Sequence, residues 1–442
     1  MKFNLTKYIL PSVVSMILVG TYTNIDGFFI GSATGDAGLA AINFAWPIVA
    51  MITSVGTGIG VGGAVAVNHL RGNRQAAQAE AAKTAALLLL GVFGIAVTLL
   101  SLLIDSPLLR CMGAEAQALT YAENYAAVIS AGALFQIMGA GLLVLLRNEG
   151  KTVHAMLYTM AGLAVHIALD FLLVDKFKLF GVAASTVVSQ LVVAALCLCS
   201  FPFARETSGL RAYGSGILKS AVAPFGLNFV PSAVLLFTNY FAMRAGGTQM
   251  VSAYAVMSYA VYTYDYLCQG VCDGIQPVVS YCQGAGDFAQ KKRAVSAAAC
   301  VLTVAACGFA ALTPLLTAFL PEIFSVSAKT AAYMRRGLII YAFSYPLKAA
   351  VKLVCSYFYS VRELWISNIL TYLDPLAFTP LLLAGLACLC GEDGIWLSLP
   401  LSQAAIMLTF ALLLPIWRRK QSRRGQPPMP ENERSSYDQG TL

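Results

Sequence analysis

Apolar runs long enough to cross a bilayer, about 20 residues each, recur twelve times along the chain. They lie near 8–30, 44–68, 84–105, 124–146, 153–175, 180–202, 219–243, 251–278, 294–316, 333–358, 365–388 and 394–417. They lack the alternating polarity of barrel strands, and a backbone in hydrocarbon must satisfy its own hydrogen bonds, so each run predicts a helix. The polar punctuation between the runs repeats. Gly35, Gly58, Gly62 and Gly72 are matched 212 residues later by Gly247, Gly270, Gly274 and Gly284, and Gly181, Ser189 and Gln190 are matched 213 residues later by Gly394, Ser402 and Gln403. One inserted residue reconciles the two offsets. The pattern predicts an all-α polytopic membrane protein with twelve transmembrane helices in two six-helix lobes. An even number of spans per half inserts both halves the same way up, which makes them parallel repeats about an axis along the membrane normal. The expected division is an N-lobe at 1–205 (spans 1–6), a C-lobe at 206–417 (spans 7–12) and a polar, cytoplasmic tail at 418–442.

Duplication on this scale points to a transport path between two related bundles. Composition agrees with a lipid-embedded chain: 58% of residues are hydrophobic and only 11% charged, which excludes globular, disordered and secreted classes. Of the 29 Lys and Arg, 20 fall at the termini and in the even-numbered loops and seven in the opposite loops, so both termini are expected in the cytoplasm, with the protein in the cell's inner (plasma) membrane. The net charge of +8 records that topology and gives no support to a nucleic-acid partner. The first span follows Lys2 and Lys7 as a signal peptide would, yet it is too long, carries Asp26 and shows no small-residue cleavage site, so it reads as retained. The eleven cysteines are scattered, and Cys268 and Cys272 have no partners for a zinc site, so they read as small buried apolar residues.

Two motifs are decoys. Gly58-Ile-Gly60-Val-Gly62-Gly63 satisfies GxGxxG but lies inside an apolar run, where small residues serve close helix packing. Tyr264-Asp265 with Gly284-Ala285-Gly286-Asp287 superficially resembles an intramembrane aspartyl protease, but Asp287 sits in a basic turn before Lys291, Lys292 and Arg293. No HExxH, GxSxG or Walker sequence occurs, so an enzyme is not expected.

Ionisable groups inside spans cost about 2.5–3.5 kcal/mol each on insertion scales and are functional candidates by default. Here they are Asp26, Asp170, Asp265, Asp273, Asp374, Lys348 and Lys352. Asp26 and Asp170 lie equally deep, about 26 Å up their spans at 1.5 Å per residue, and could share one outward-facing cavity. His166 is one turn before Asp170, and Asn24 lies beside Asp26. Two carboxylates in a partly dry site disfavour joint ionisation, as a proton-coupled carrier requires. Thr238 and Leu383 stand at the matching C-lobe positions, so ion coupling is expected in the N-lobe alone. In the C-lobe, Asp265 and Lys348 share a depth and Asp374 lies near it, so Lys348 could pair with Asp265 or with Asp374. Lys348 and Lys352 share a helix face, leaving one cation available to an anionic or zwitterionic cargo. Tyr262 and Tyr345 are candidates for the wall of the same cavity.

The chain resembles the multidrug and toxic compound extrusion (MATE) family over residues 5–417. The resemblance rests on Asn24-Ile25-Asp26-Gly27-Phe28-Phe29-Ile30-Gly31, Gly35 with Leu39-Ala40-Ala41, Arg147-Asn148-Glu149-Gly150-Lys151-Thr152, Leu169-Asp170, Gly181-Val182-Ala183-Ala184-Ser185-Thr186 with Ser189-Gln190, Gln276-Pro277 and Gly284-Ala285. It implies a V-shaped pair of lobes exporting organic compounds by alternating access, driven by inward proton or sodium flow, with Asp26 and Asp170 at the N-lobe cation site. Where that site typically has Asn four residues before the span 5 Asp, this chain has His166, which leans away from sodium and toward protons. The acidic residues of spans 7 and 10 found in some relatives are replaced by Asn228, Asn239 and the two lysines.

The resulting expectation is a secondary antiporter of small organic molecules, working as a monomer in the lipid bilayer without a cofactor. H+ is the expected coupling ion, with Na+ at Asp26 and Asp170 as the alternative, and no metal is expected otherwise. A lipid-linked saccharide flippase of the same superfamily is the competing reading; fourteen spans are more usual there.

Overall fold

The computed structural model describes residues 4–111, 116–201, 210–324 and 326–423. The described residues are helical almost throughout and contain no strand. In chain order the elements are α1 (Thr6–Gly72), α2 (Ala76–Cys111), α3 (Ala116–Ala131), α4 (Ala133–Asn148), α5 (Thr152–Ser200), α6 (Leu210–Ala285), α7 (Phe288–Ile323), α8 (Ala328–Ala342), α9 (Ser344–Ser360), α10 (Leu364–Leu373), a π-helical turn (Asp374–Phe378), α11 (Thr379–Cys390) and α12 (Glu392–Arg423).

Several of these elements are too long for one crossing of a hydrocarbon layer about 30 Å thick. In α1 two apolar spans, Thr6–Gly27 and Ala41–Gly72, are joined without loss of helical backbone. α5 holds two spans that turn at Lys178, and α6 two that turn at Gly247. Conversely, α3 with α4 and α8 with α9 each form one span, bent by 57° and 50°. The second bend precedes Pro346, whose missing N–H leaves the Ala342 carbonyl without its helical partner. With these joins and breaks the helices make the twelve crossings expected from the apolar runs.

The repeat is visible in the backbone. Six of the seven left-handed residues among those described pair at the repeat offset: Arg74 (φ 62°) with Gly286 (69°), Gly150 (79°) with Arg362 (63°), and Lys178 (50°) with Gly391 (58°), while Gly247 (67°) stands alone because α1 runs on unbroken at the matching position. In each pair one member is not glycine, so the two halves retain a conformation where they no longer retain the residue. Each lobe has its own core. One cluster is built on Ile52, Leu90, Ile129, Ile137 and Leu142, and the other on Met257, Tyr264, Met334, Tyr345 and Trp396. Exposed Leu103, Phe171, Leu172, Leu381 and Leu389 face outward, where lipid tails are as apolar as the side chains themselves.

The lobes meet through small residues. A Cβ on Gly62 would lie 2.6 Å from the Ile217 carbonyl and one on Gly274 would lie 2.7 Å from the Ile9 Cα, and Gly58 and Gly270 press on Phe225 and Val13. Phe225 stands 212 residues after Val13, so these are the two copies of one contact. A Cβ on Gly72 would overlap the Tyr281 carbonyl, and one on Gly284 the His69 carbonyl, closing the lobes at the end that bears the loops near 73–75 and 286–287. The GxGxxG run is therefore a helix-packing surface. Gly274→Leu is expected to destabilise the closed pair by about 1–3 kcal/mol through overpacking. Gly216→Leu, where a Cβ meets nothing, should leave thermal unfolding of the purified protein unchanged.

α12 continues to Arg423, so the first six residues of the expected polar tail, 418–423, are helical. Lys420 lies over the Trp365 ring, and Gln421 donates to Glu363 at 3.5 Å. Residues 424–442 of the expected tail lie outside the described residues.

Candidate functional site

The first limb of α1 carries Asp26, and α5 carries His166 and Asp170 one turn apart, so both α5 side chains face α1. His166 Nε2 lies 2.8 Å from Asp26 Oδ1 and 3.2 Å from Asp170 Oδ2. The break at Lys178 turns the chain back alongside itself and brings the Ser185 hydroxyl to donate to Asp170 Oδ1. The Tyr22 ring, tilted by 41°, packs against the imidazole with centroids 4.9 Å apart. His166 and Asp170 are fully buried and Asp26 nearly so. The three residues form the one acidic and imidazole cluster among the described residues whose ligand atoms all fall within 4.8 Å of one another. The Asn24 side chain lies outside the described residues.

One imidazole nitrogen thus hydrogen-bonds Asp26 and stands within ion-pair reach of Asp170, to which it makes no aligned hydrogen bond. Three ionisable groups in direct contact away from water exchange protons as a unit. A hard cation prefers an all-oxygen shell, whereas here the position between the two carboxylates is taken by a ring nitrogen at hydrogen-bond spacing. The ligand atoms of the three residues are nonetheless close enough together to hold a metal ion.

In the C-lobe both lysines converge on Asp265. Lys352 Nζ reaches Asp265 Oδ2 at 2.8 Å, the Asp265 carbonyl at 3.1 Å and Gln269 Oε1 at 3.3 Å, which occupies all three of its donors. Lys348 Nζ lies 3.2 Å from Asp265 Oδ1 and only 3.4 Å from the Tyr341 hydroxyl, and it is the more exposed lysine, at 18% against 8%. Of the two expected partners, Asp265 is therefore the one used. Asp374, on the π-helical turn, accepts instead from Thr379 Oγ1 at 2.7 Å and Gln403 Nε2 at 2.9 Å. Lys348, Lys352, Asp265, Asp374 and Tyr262 line one cavity of about 90 Å³. That is room for a few water molecules and far below the roughly 300–1,000 Å³ of a drug-sized pocket. Tyr345 does not line it. It is fully buried in an aromatic cluster, with ring centroids 4.7 Å from Tyr264 and 5.5 Å from Tyr341.

Asp273, which the sequence marks as intramembrane but leaves without a partner, faces Arg147 of the other lobe, with Arg147 Nη1 3.4 Å from Asp273 Oδ2. Gln269 Nε2 donates to Asp273 Oδ1 at 2.8 Å. Asp265, Gln269 and Asp273 are four residues apart and share one face of α6, a spacing that would have singled out Gln269 beforehand. Arg147 reads from the sequence as a loop cation within the Arg147–Thr152 motif, and nothing there gives it a partner. Asp287 caps α7 by accepting from the Gln290 N–H at 3.0 Å, and with Asp265 held by two lysines no catalytic carboxylate pair exists between them.

The MatE family model matches residues 11–172 and 226–369, most of the chain. Among curated proteins, similarity is found to the multidrug export protein MepA of Staphylococcus saprophyticus, 22% identical over 284 residues, covering 61% of this chain and 62% of that protein. MepA of Staphylococcus aureus is 22% identical over 282 residues, covering 62% of each chain. The chain thus matches somewhat under two thirds of the length of these relatives. Among solved structures, a MOP superfamily transporter from Pyrococcus furiosus, described as having a binding pocket of reversed polarity, superposes with a TM-score of 0.86 at 21% identity, over 92% of this chain and 93% of that one. An outward-facing multidrug resistance MATE family transporter of the same superfamily superposes with a TM-score of 0.82 at 22% identity, over 92% and 93%. At these identities the structures establish the shared fold, and the family model covers both lobes. The chain is a multi-pass membrane protein that belongs to the MatE family, a family of transporters and not of enzymes.

Proposed function

We propose that the chain is a secondary active antiporter that exports organic drug-like or metabolite molecules by alternating access, coupled to proton influx. The observation that carries this reading is the single His166 nitrogen held between Asp26 and Asp170. The names of the MepA relatives support multidrug export as the direction and cargo class. The excess of Lys and Arg at the termini and even loops supports a plasma-membrane protein with both termini cytoplasmic. The lipid bilayer and a small organic molecule are its partners, it acts as a monomer, and it needs no cofactor.

In this mechanism, a proton arriving from outside joins the Asp26–His166–Asp170 cluster and changes the charge held between α1 and α5. Because α1 bears Asp26 and also packs on α6, the change reaches the other lobe. A Cβ on Gly20 would lie 2.7 Å from the Tyr266 ring, and Tyr266 follows Asp265 directly. Movement of α1 therefore shifts the helix that carries the carboxylate shared by Lys348 and Lys352. Deprotonation toward the cytoplasm resets the cycle.

The test is dye movement by purified protein in liposomes under a pH gradient and, separately, a sodium gradient. Wild type should move a fluorescent organic cation under the pH gradient and stop when a protonophore is added. Absence of movement under both gradients would defeat the export reading.

A further inference from the structure

We propose that Arg147 and Asp273 form a latch between the lobes and that Gln269 is a positioning residue tying the latch to the C-lobe cavity; this rests on the transport reading. Arg147 lies in the last turn of α4, beside Asn148 and Glu149, which hold Asn68 and Arg71 where the lobes close. Arg147 and Asp273 are 5% and 4% exposed at their side chains, so the pair crosses the lobe interface out of contact with water.

The pair is poised for release. At 3.4 Å, Arg147 Nη1 and Asp273 Oδ2 make no aligned hydrogen bond with each other among the described residues. A buried pair of that quality recovers little more than its desolvation cost. When the lobes part, both groups regain water, so a small change at either partner moves the balance.

Gln269 supplies that change. Its Oε1 accepts from Lys352 and its Nε2 donates to Asp273, so the two contacts fix the amide in one orientation and a flip loses both. An event that draws Lys352 away from Asp265, such as an anionic group entering the cavity, frees the amide and leaves Asp273 with one fewer donor. Occupancy of the cavity is thereby conveyed to the lobe interface.

The repeat shows that packing alone does not require this device. The positions related to Arg147 and Asp273 by the 212-residue offset are Tyr359 and Val61, both buried in one apolar cluster. Uncharged residues of one buried cluster thus stand in one half where the other half has an ionic pair, in a fold that accommodates either.

The test uses the full chain in lipid nanodiscs without cargo, with its exposed native cysteines replaced by serine. Spin labels at Ala77→Cys and Ala289→Cys, exposed and equivalent in the two lobes, report the lobe separation at the latched end. Gln269→Leu should raise the population ratio of parted to closed lobes at least about fivefold, within the usual range of coupling between sites. Arg147→Tyr with Asp273→Val, which copies the apolar side and so should fold, should abolish any further effect of Gln269→Leu. Distances in Gln269→Leu identical to wild type, or the same Gln269→Leu shift in the apolar background, would overturn the latch. The distances report on it whether or not dye is moved, so failure of the export reading is recognised separately in the liposome assay.

Discussion

Asp26→Asn is expected to cut proton-driven export by about 10- to 100-fold, the size of a coupling free energy of about 1–3 kcal/mol. Asp170→Asn should do the same. The amide keeps the shape of the carboxylate but cannot bind and release a proton, and it removes one of the two negative charges that face His166 Nε2. His166→Asn is the more discriminating variant, because it takes away the ring nitrogen from between the carboxylates and leaves an oxygen-bearing side chain. It should lose proton-driven movement to a similar degree while binding of the fluorescent cargo stays within a few-fold of wild type. Equilibrium binding measured beside gradient-driven flux separates the two effects. Loss of binding in step with flux would mean that these residues hold cargo and not the coupling ion.

Asp265→Asn is expected to be the most destabilising single change in the C-lobe, by about 3–5 kcal/mol, because it leaves buried cations without their counter-ion. Lys348 and Lys352 both depend on that one carboxylate, at 3.2 and 2.8 Å. Lys348→Met should cost much less, since Lys352 keeps Asp265 and Gln269. Removing all three charges at once, with Asp265→Asn, Lys348→Met and Lys352→Met, should recover most of the loss. Thermal unfolding of the purified variants in detergent orders them. An Asp265→Asn variant as stable as wild type would show that the lysines find another partner or shed their charge.

Much of the architecture is legible in the chain because lipid imposes a simple rule: apolar runs of span length become helices, and small residues at a fixed offset become contacts between them. Depth counting also brought Asp26 and Asp170 together, and Lys348 with Asp265, since rise per residue needs no tertiary information. What depth cannot supply is the rotation of one helix against another. Asp374 lies near the right level but turns to Thr379 and Gln403, and Tyr345 has the right composition for a cavity wall but points into the aromatic core. The latch was hidden for a related reason. Arg147 resembles every other cation at a helix end, and only the packing of α4 against α6 gives it Asp273 as a partner, whereas Gln269 meets Asp273 along one helix face, a spacing open to reading in the chain. Ser185 was in view as part of a motif, yet its contact with Asp170 depends on the sharp turn at Lys178, a residue with no compositional tendency to make one.

The central claim is that the buried Asp26–His166–Asp170 cluster carries the coupling proton. Its most direct test is to record internal pH with a trapped indicator while wild-type protein in liposomes moves an organic cation with sodium absent. Cargo movement accompanied by opposite proton movement, with the proton signal lost in Asp26→Asn and Asp170→Asn, is the predicted result. Cargo movement that requires sodium and leaves internal pH unchanged, or proton-coupled movement that persists in both variants, would contradict the assignment.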